Sequence, residues 1–169
     1  MPEWINKKIA AVADTVYSNR KLVARDVAFT IGGISFQTSE VQAMGTVELP
    51  LIGLIENMDL TVTKIGIDEG LGRLSSAEKM DLEFRWVQSI VKADGTTGPE
   101  GCKAFIRCVP KQLGDVGVEI GSGTEIENTY TITRVQIFYG GTEYILVDRF
   151  AGKLRINGRD YMGSINKLL

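Results

Sequence analysis

The stretch KMDLEFRWVQSIV, residues 79–91, decides the fold class. Met80, Leu82, Phe84, Trp86 and Ile90 fall on one side of an extended chain, and Asp81, Glu83, Arg85 and Ser89 on the other. A strand turns alternate side chains to opposite faces, so a period of two means one face on a core and one in water. The pattern recurs outward in both directions. In NMDLTVTKIGI (57–67), Met58, Leu60 and Val62 oppose Asp59, Thr61 and Thr63. NTYTITRVQIFY (128–139) and TEYILVDRFAGKLRING (142–158) continue it. Asp94-Gly95 and Gly140-Gly141 separate such runs, as residues that tolerate positive φ should. Asn19 closes an earlier hairpin that joins residues 15–17 to 22–31. Alternating runs joined by short turns predict an all-β antiparallel sandwich or split barrel.

Helix is scarce. DEGLGRLSSAE (68–78) predicts one short helix over 69–77, N-capped by Asp68 and weakened by Gly70 and Gly72. YMGSINKLL (161–169) predicts a C-terminal helix capped by Asp160, with Tyr161, Ile165 and Leu168 on one face. Ile5, Ile9, Val12 and Val16 have helical spacing, and an extended arm fits the same residues. The reading is a single domain over 1–169 with an N-terminal arm at 1–14. QLGDVGVEIGSGTEIE (112–127) is a Gly-rich connector between strands.

The chain has 169 residues, 44% hydrophobic and 24% charged, and a formal net charge of -2. That balance suits an ordinary globular domain and leaves no electrostatic footprint for nucleic acid or an anionic membrane. No apolar run approaches the roughly 18 residues that would cross a bilayer, so no membrane anchor is expected. MPEWINKKIAAVAD lacks the apolar core of a secretory signal, and a cytosolic origin is expected. Cys102 and Cys108 lie six residues apart in one extended run. That spacing is about 20 Å along a strand, against a ~7 Å limit for a disulfide, so both are expected reduced.

Chemistry finds little foothold. Histidine is absent, which removes the commonest general base and metal ligand. Gly121-x-Gly123 precedes a strand rather than a helix, so it lacks the context of a phosphate-binding turn. KADGTTGPEG (92–101) reads as a hairpin tip and lacks the ligand spacing of a calcium loop. Asp59, Asp81 and Glu83 read as a solvated sheet face, and Trp86, Phe84 and Phe105 as core aromatics. No catalytic residue, metal or cofactor is expected.

One stretch resists this scheme. FQTSEVQAMGTVELPLIG (36–53) is extended, yet one face begins Phe36, Thr38, Glu40, Gln42 and the other Gln37, Ser39, Val41, Ala43. Neither is a core face. Pro50 inside extended chain points to a sheet edge or a bend. The apolar run LPLIGLI (49–55) follows, in what the pattern makes a connecting loop. Exposed apolar surface of this kind marks an interface, and an open edge becomes safe when strands close into a ring.

These residues carry a resemblance. TSEVQAMGTVELPLIGLIENMDLTV (38–62) resembles the central signature of the major tail tube proteins of contractile-tailed bacteriophages and phage-tail-like bacteriocins, with matches at Glu40, Gly45, Glu48, Pro50, Gly53 and Met58. Residues 107–148 resemble the family's next block, and LRINGRDYMGSINKLL (154–169) its closing turn and helix. The likeness spans residues 15–169. The lysine-bearing N-terminus and the lack of a tryptophan near Thr63-Lys64 depart from the pattern.

The resemblance implies a structural, non-enzymatic subunit, similar in fold to the type VI secretion tube protein. It implies six-membered rings, each closing an inner β-barrel, stacked into a tube within a contractile sheath. Assembly in the bacterial host cytoplasm, with sheath, baseplate and tape-measure proteins as partners, comes with it. In a phage, DNA would transit the tube without specific binding. Thr38, Glu40, Gln42 and Glu48 would then line the lumen. Leu51, Ile52, Leu54 and Ile55, with Asp94, Thr96 and Thr97, would sit in ring-stacking or inter-subunit loops. A single-ring terminator or baseplate component and a monomeric β-barrel that binds a ligand or peptide remain alternatives.

Overall fold

The alternation becomes twelve strands and two short helices in a computed structural model that describes residues 6–169. β1 (Lys7–Ser18) and β2 (Lys21–Arg25) form a hairpin whose turn residues Asn19 and Arg20 have φ of 50° and 65°. Both central positions of a type I′ turn need positive φ, and Asn tolerates it. β3 (Ala28–Ile31) follows a break at Val27, whose N–H donates to Asp14 Oδ1 at 3.0 Å. The expected second strand over 22–31 is therefore two strands with different partners. β4 (Phe36–Gln42) and β5 (Thr46–Ile55) make a separate hairpin. β6 (Asp59–Ile65) and α1 (Glu69–Arg73) lead into the long β7 (Met80–Val91) and β8 (Thr97–Gln112). β9 (Glu125–Tyr139), β10 (Thr142–Asp148), β11 (Lys153–Ile156) and β12 (Arg159–Asp160) form a meander that ends in α2 (Gly163–Asn166).

Ten of these strands form one antiparallel sheet in the order β12-β11-β10-β9-β8-β7-β1-β2, with β6 added to β9 and β3 to β6. β9 serves two partners on one edge: its first half pairs β6, its second half β10. In a flat sheet β3 and β7 would lie four strand spacings apart, about 19 Å. The rings of Phe29 on β3 and Phe84 on β7 are 4.5 Å apart. The sheet therefore curls back over itself, with no ladder between β3 and β7 to close it as a barrel. The core lies inside the curl and includes Val16, Leu60, Phe84, Ile106, Tyr130 and Val135.

Local chemistry explains where the elements depart from the sequence expectations. α1 has its N-cap at Asp68, whose Oδ1 accepts from the Leu71 N–H at 2.9 Å, but it ends at Arg73 rather than 77. Two glycines leave the helix weak, and Leu74 turns into the core. α2 is a single turn. Asp160 does serve its start, accepting from the N–H groups of Met162 and Gly163, but Leu168 is exposed and no helix face is buried. LPLIGLI is not a loop: it belongs to β5, paired with β4 at Leu49, Pro50 and Ile55 with residues 51–54 bulged between them. The tip between β7 and β8 is only residues 92–96, since Thr97 already starts β8 opposite Val91. Residues 7–18 are strand, not helix; Ile5 lies outside the described residues.

Asn128 is the buried polar residue of this core among the described residues. Its Oδ1 accepts from the Gly114 N–H at 2.9 Å, and its amide donates to Ser75 Oγ and to the Tyr130 hydroxyl, each at 3.3 Å. The Tyr130 hydroxyl in turn donates to the Leu74 carbonyl. One side chain thus ties the end of α1 and the start of the 113–124 connector to β9. Asn128→Ala strands these partners in an apolar setting and is expected to cost about 1–3 kcal/mol. Denaturant unfolding measures that loss, and hydrogen exchange should rise first at Gly114.

Candidate functional site

The β4–β5 hairpin stands apart from the ten-stranded sheet; no other described strand pairs with either of its edges. Met44 and Gly45, at φ of 54° and 117°, make its tip. Its base is rooted by Glu56 N–H donating to the Ser35 carbonyl at 2.8 Å, and by the Arg149 guanidinium donating to the Ile55 carbonyl at 2.7 Å.

The register sorts its side chains. Glu40 lies opposite Glu48, Thr38 opposite Pro50 and Gln42 opposite Thr46, with a Gln42–Thr46 side-chain hydrogen bond of 3.2 Å. Directly opposed residues point the same way. Thr38, Glu40, Gln42 and Glu48 therefore share one polar face, all exposed. Val41 lies opposite Val47 and Ser39 opposite Leu49, so the other face is largely apolar, and it is exposed as well. This apolar face escaped sequence reasoning. The signal was Met44-Gly45, a turn that folds the two alternating runs against each other.

Between the pairs Phe36–Ile55 and Thr38–Pro50 the register shifts, leaving residues 51–54 as an irregularity in β5. Leu51, Ile52 and Leu54 are exposed there, and Ile55 is half-buried. Gly53, at φ 103°, lets the strand bend against the Met162 side chain of the α2 region. These four residues lie at the hairpin base. Asp94, Thr96 and Thr97 are elsewhere, at the β7–β8 turn. There Asp94 Oδ1 accepts from the Thr96 hydroxyl at 2.6 Å and its N–H at 2.9 Å. Those bonds hold the Asp94 carboxyl below its usual range.

The outer face of the large sheet is laced with ion pairs. Asp81 meets Arg107 at 3.1 Å, Arg134 meets Asp148 at 3.7 Å, and Glu143 meets Arg155 at 2.6 Å. Asp59 and Glu83 are similarly paired, with Lys111 at 3.5 Å and Arg85 at 2.7 Å. The Arg155 hydrogen bond holds the Glu143 carboxyl below its ordinary value. Phe105 is not a core residue: it stands on this outer face, edge-on to Phe138 at 5.9 Å, because odd positions of β8 face away from the curl. Phe84 is buried, and Trp86 packs partly buried against Phe29. Both cysteines are free and buried, and burial pushes the Cys108 thiol up to about 12. Among the described residues no three acidic or thiol groups gather as a metal site.

The chain is a curled antiparallel sheet carrying a rooted two-faced hairpin, and chains of similar fold occur in solved structures of contractile injection systems. It is similar to a chain in the cryo-EM sheath–tube complex of the PVC extracellular contractile injection system in its extended state. That match has 18% identity, covers 74% of this chain and 87% of that one, and has a TM-score of 0.50. A chain in the anti-feeding prophage cap structure, the AFP tube terminating cap, matches with the same values. A chain in the PVC sheath/tube terminator, also extended, matches at 17% identity over 77% of this chain and 96% of that one, with a TM-score of 0.51. At such identities the likeness is one of fold. No curated protein matches the chain by sequence. The profile of the family described as phage tail tube protein FII matches residues 12–169, and the chain belongs to that family. It is a tail tube protein.

Proposed function

We propose that the chain is the repeating subunit of a tube built from stacked six-membered rings, with the β4–β5 hairpin as the ring-closing element. One observation carries this reading: beyond its base the hairpin exposes both faces, and no other described strand pairs with either of its edges. An isolated two-stranded hairpin is marginal in water. Pairing with strands of neighbouring subunits removes its edges and extends the curled sheet into a closed inner barrel. The apolar face of Val41, Val47 and Leu49 then packs on a neighbour. The polar face of Thr38, Glu40, Gln42 and Glu48 is left for the lumen. Leu51, Ile52, Leu54 and Ile55 extend the inter-subunit contact, while Asp94, Thr96 and Thr97 belong to the surface where rings stack.

In this reading the tube lies inside a contractile sheath, is driven through a target envelope on contraction, and meets baseplate and tape-measure proteins at its ends. Assembly takes place in the bacterial host cytoplasm. In a phage it conducts DNA. A lumen of carboxylates, hydroxyls and amides suits that task, since every Lys or Arg contact to phosphate adds affinity. Likeness to a chain in a sheath/tube terminator, over 96% of that chain, favours a second reading as a single-ring terminator. Negative-stain electron microscopy of the purified protein tests both: long tubes support the first, lone rings the second, and monomers at every concentration refute both.

The lumen assignment has its own test. The double variant Glu40→Lys/Glu48→Lys should still assemble, because both side chains would face water, and should retain DNA. Retention should weaken with salt at a slope of about 0.9 in log K per phosphate contacted. Tubes of this variant that bind no more DNA than wild type would place the polar face elsewhere.

A further inference from the structure

The connector between β8 and β9 has the alternation of a strand and forms none. Val116, Val118 and Ile120 alternate with Gly117 and Glu119, and no described strand pairs with them. Val118 is 83% exposed and Ile120 102%. The segment is nonetheless held at both ends. The Gly114 N–H is bound by Asn128 at 2.9 Å, and a Cβ there would meet the Glu127 carbonyl oxygen at 2.4 Å. At the far end the Gly66 N–H donates to the Thr124 carbonyl at 2.7 Å, which brings exposed Ile65 and Ile67 alongside. A pinned, solvent-facing apolar patch of this kind marks an interaction surface. From 113 to 133 the chain carries Asp115, Glu119, Glu125 and Glu127 and no Lys or Arg.

The complementary surface is at the other end of the molecule. The first half of β1 pairs with β7 on one edge, and before Thr15 no described strand takes the other. Ile9 is 58% exposed and Val12 65%. Residues 6–13 carry Lys7 and Lys8 and no acid; Lys8 also pairs with Glu100 on β8 at 2.5 Å. This arm lies beside Val91 and Thr97, where β8 begins, whereas the connector leaves where β8 ends. Sixteen residues of strand separate the two, up to about 50 Å.

We propose that the acidic apolar connector of one copy docks head-to-tail on the basic apolar β1 arm of another copy. The juxtaposition is Val116, Val118 and Ile120 against Ile9 and Val12, with Asp115 and Glu119 near Lys7. A head-to-tail contact between identical chains propagates as a polymer wherever its rotation does not close a ring. The hairpin closes rings and this contact stacks them, so the proposal rests on the tube reading for the existence of rings.

The test is cross-linking with assembly as its control. Ile9→Cys protein and Val118→Cys protein, mixed, assembled and mildly oxidised, should give disulfide-linked dimers absent from either protein alone. The native thiols, both buried, should not compete. Ile120→Glu alters a side chain wholly in water, so the subunit should stay folded. Elongation should then need about ten- to a hundredfold more protein, the loss of one buried aliphatic side chain. Ile9→Glu should do the same from the other side. Tubes that form without the cross-link, or dimers in the Val118→Cys sample alone, overturn the contact and leave the tube reading standing. Wild-type protein that forms neither ring nor tube overturns both.

Discussion

Val41→Asp/Val47→Asp should give a soluble subunit, folded as wild type, that makes no rings. The two valines lie directly opposite each other on the apolar face of the hairpin, 43% and 40% exposed. In the lone subunit each carboxylate reaches water, so the cost should stay at about 1 kcal/mol per site, from lost strand propensity and the like charges set opposite each other. Ring closure changes the solvent. An aspartate packed against a neighbour is an unpaired buried charge, costing several kcal/mol. At about 1.4 kcal/mol per decade, each interface is weakened by on the order of a hundredfold or more. The penalty recurs at every interface of the ring, so partial assembly gains nothing. Sedimentation velocity reads the loss of rings, and circular dichroism reads the intact fold. Glu48→Gln, on the opposite face, should assemble normally. If the double aspartate variant formed rings at wild-type concentration, the apolar face would not be the ring contact.

The second large effect lies in the core and should act on the subunit itself. Phe84 is fully buried, 4.5 Å from the Phe29 ring, which in turn meets the Trp86 ring at 5.6 Å. This cluster joins β3 to β7 across the open seam of the curl, where no backbone ladder does so. Phe84→Ala removes the central ring and leaves a cavity between the two layers, at a cost of about 3–5 kcal/mol. Against a typical total of about 5–15 kcal/mol, that is a large fraction. The denaturant midpoint should fall with little change in slope. A loss below about 1 kcal/mol would show that other contacts hold the curl. In the variant, amides of β3 should exchange earlier than those of β8, which is paired on both sides.

Local pattern was legible wherever a strand has one wet face. Residues 79–91 alternate, and Met80, Leu82, Phe84 and Ile90 are buried in β7 as that alternation demands. Asn19, Asp94-Gly95 and Gly140-Gly141 all stand at turns of antiparallel hairpins. Reading failed where one residue pattern has two structural uses. An apolar run with a proline, LPLIGLI, can be a loop against a neighbour or a strand at an open edge. Its backbone partners on β4, not its side chains, make it a strand. The connector fails in the opposite sense: its alternation looks like a strand, but no described strand of its own chain pairs with it.

The sequence by itself determined the period of two, the turns between runs, the two unpaired thiols and the family motifs from Glu40 to Met58. All of these depend on residues adjacent along the chain. Only the tertiary structure decided that the sheet curls until Phe29 touches Phe84, and that residues 36–55 fold into a hairpin with one polar and one apolar face. Alternation tells which side chains share a side of a strand. It does not tell which strand lies next to it, because that pairing is set by residues far apart in the chain and by a register that a single bulge can shift.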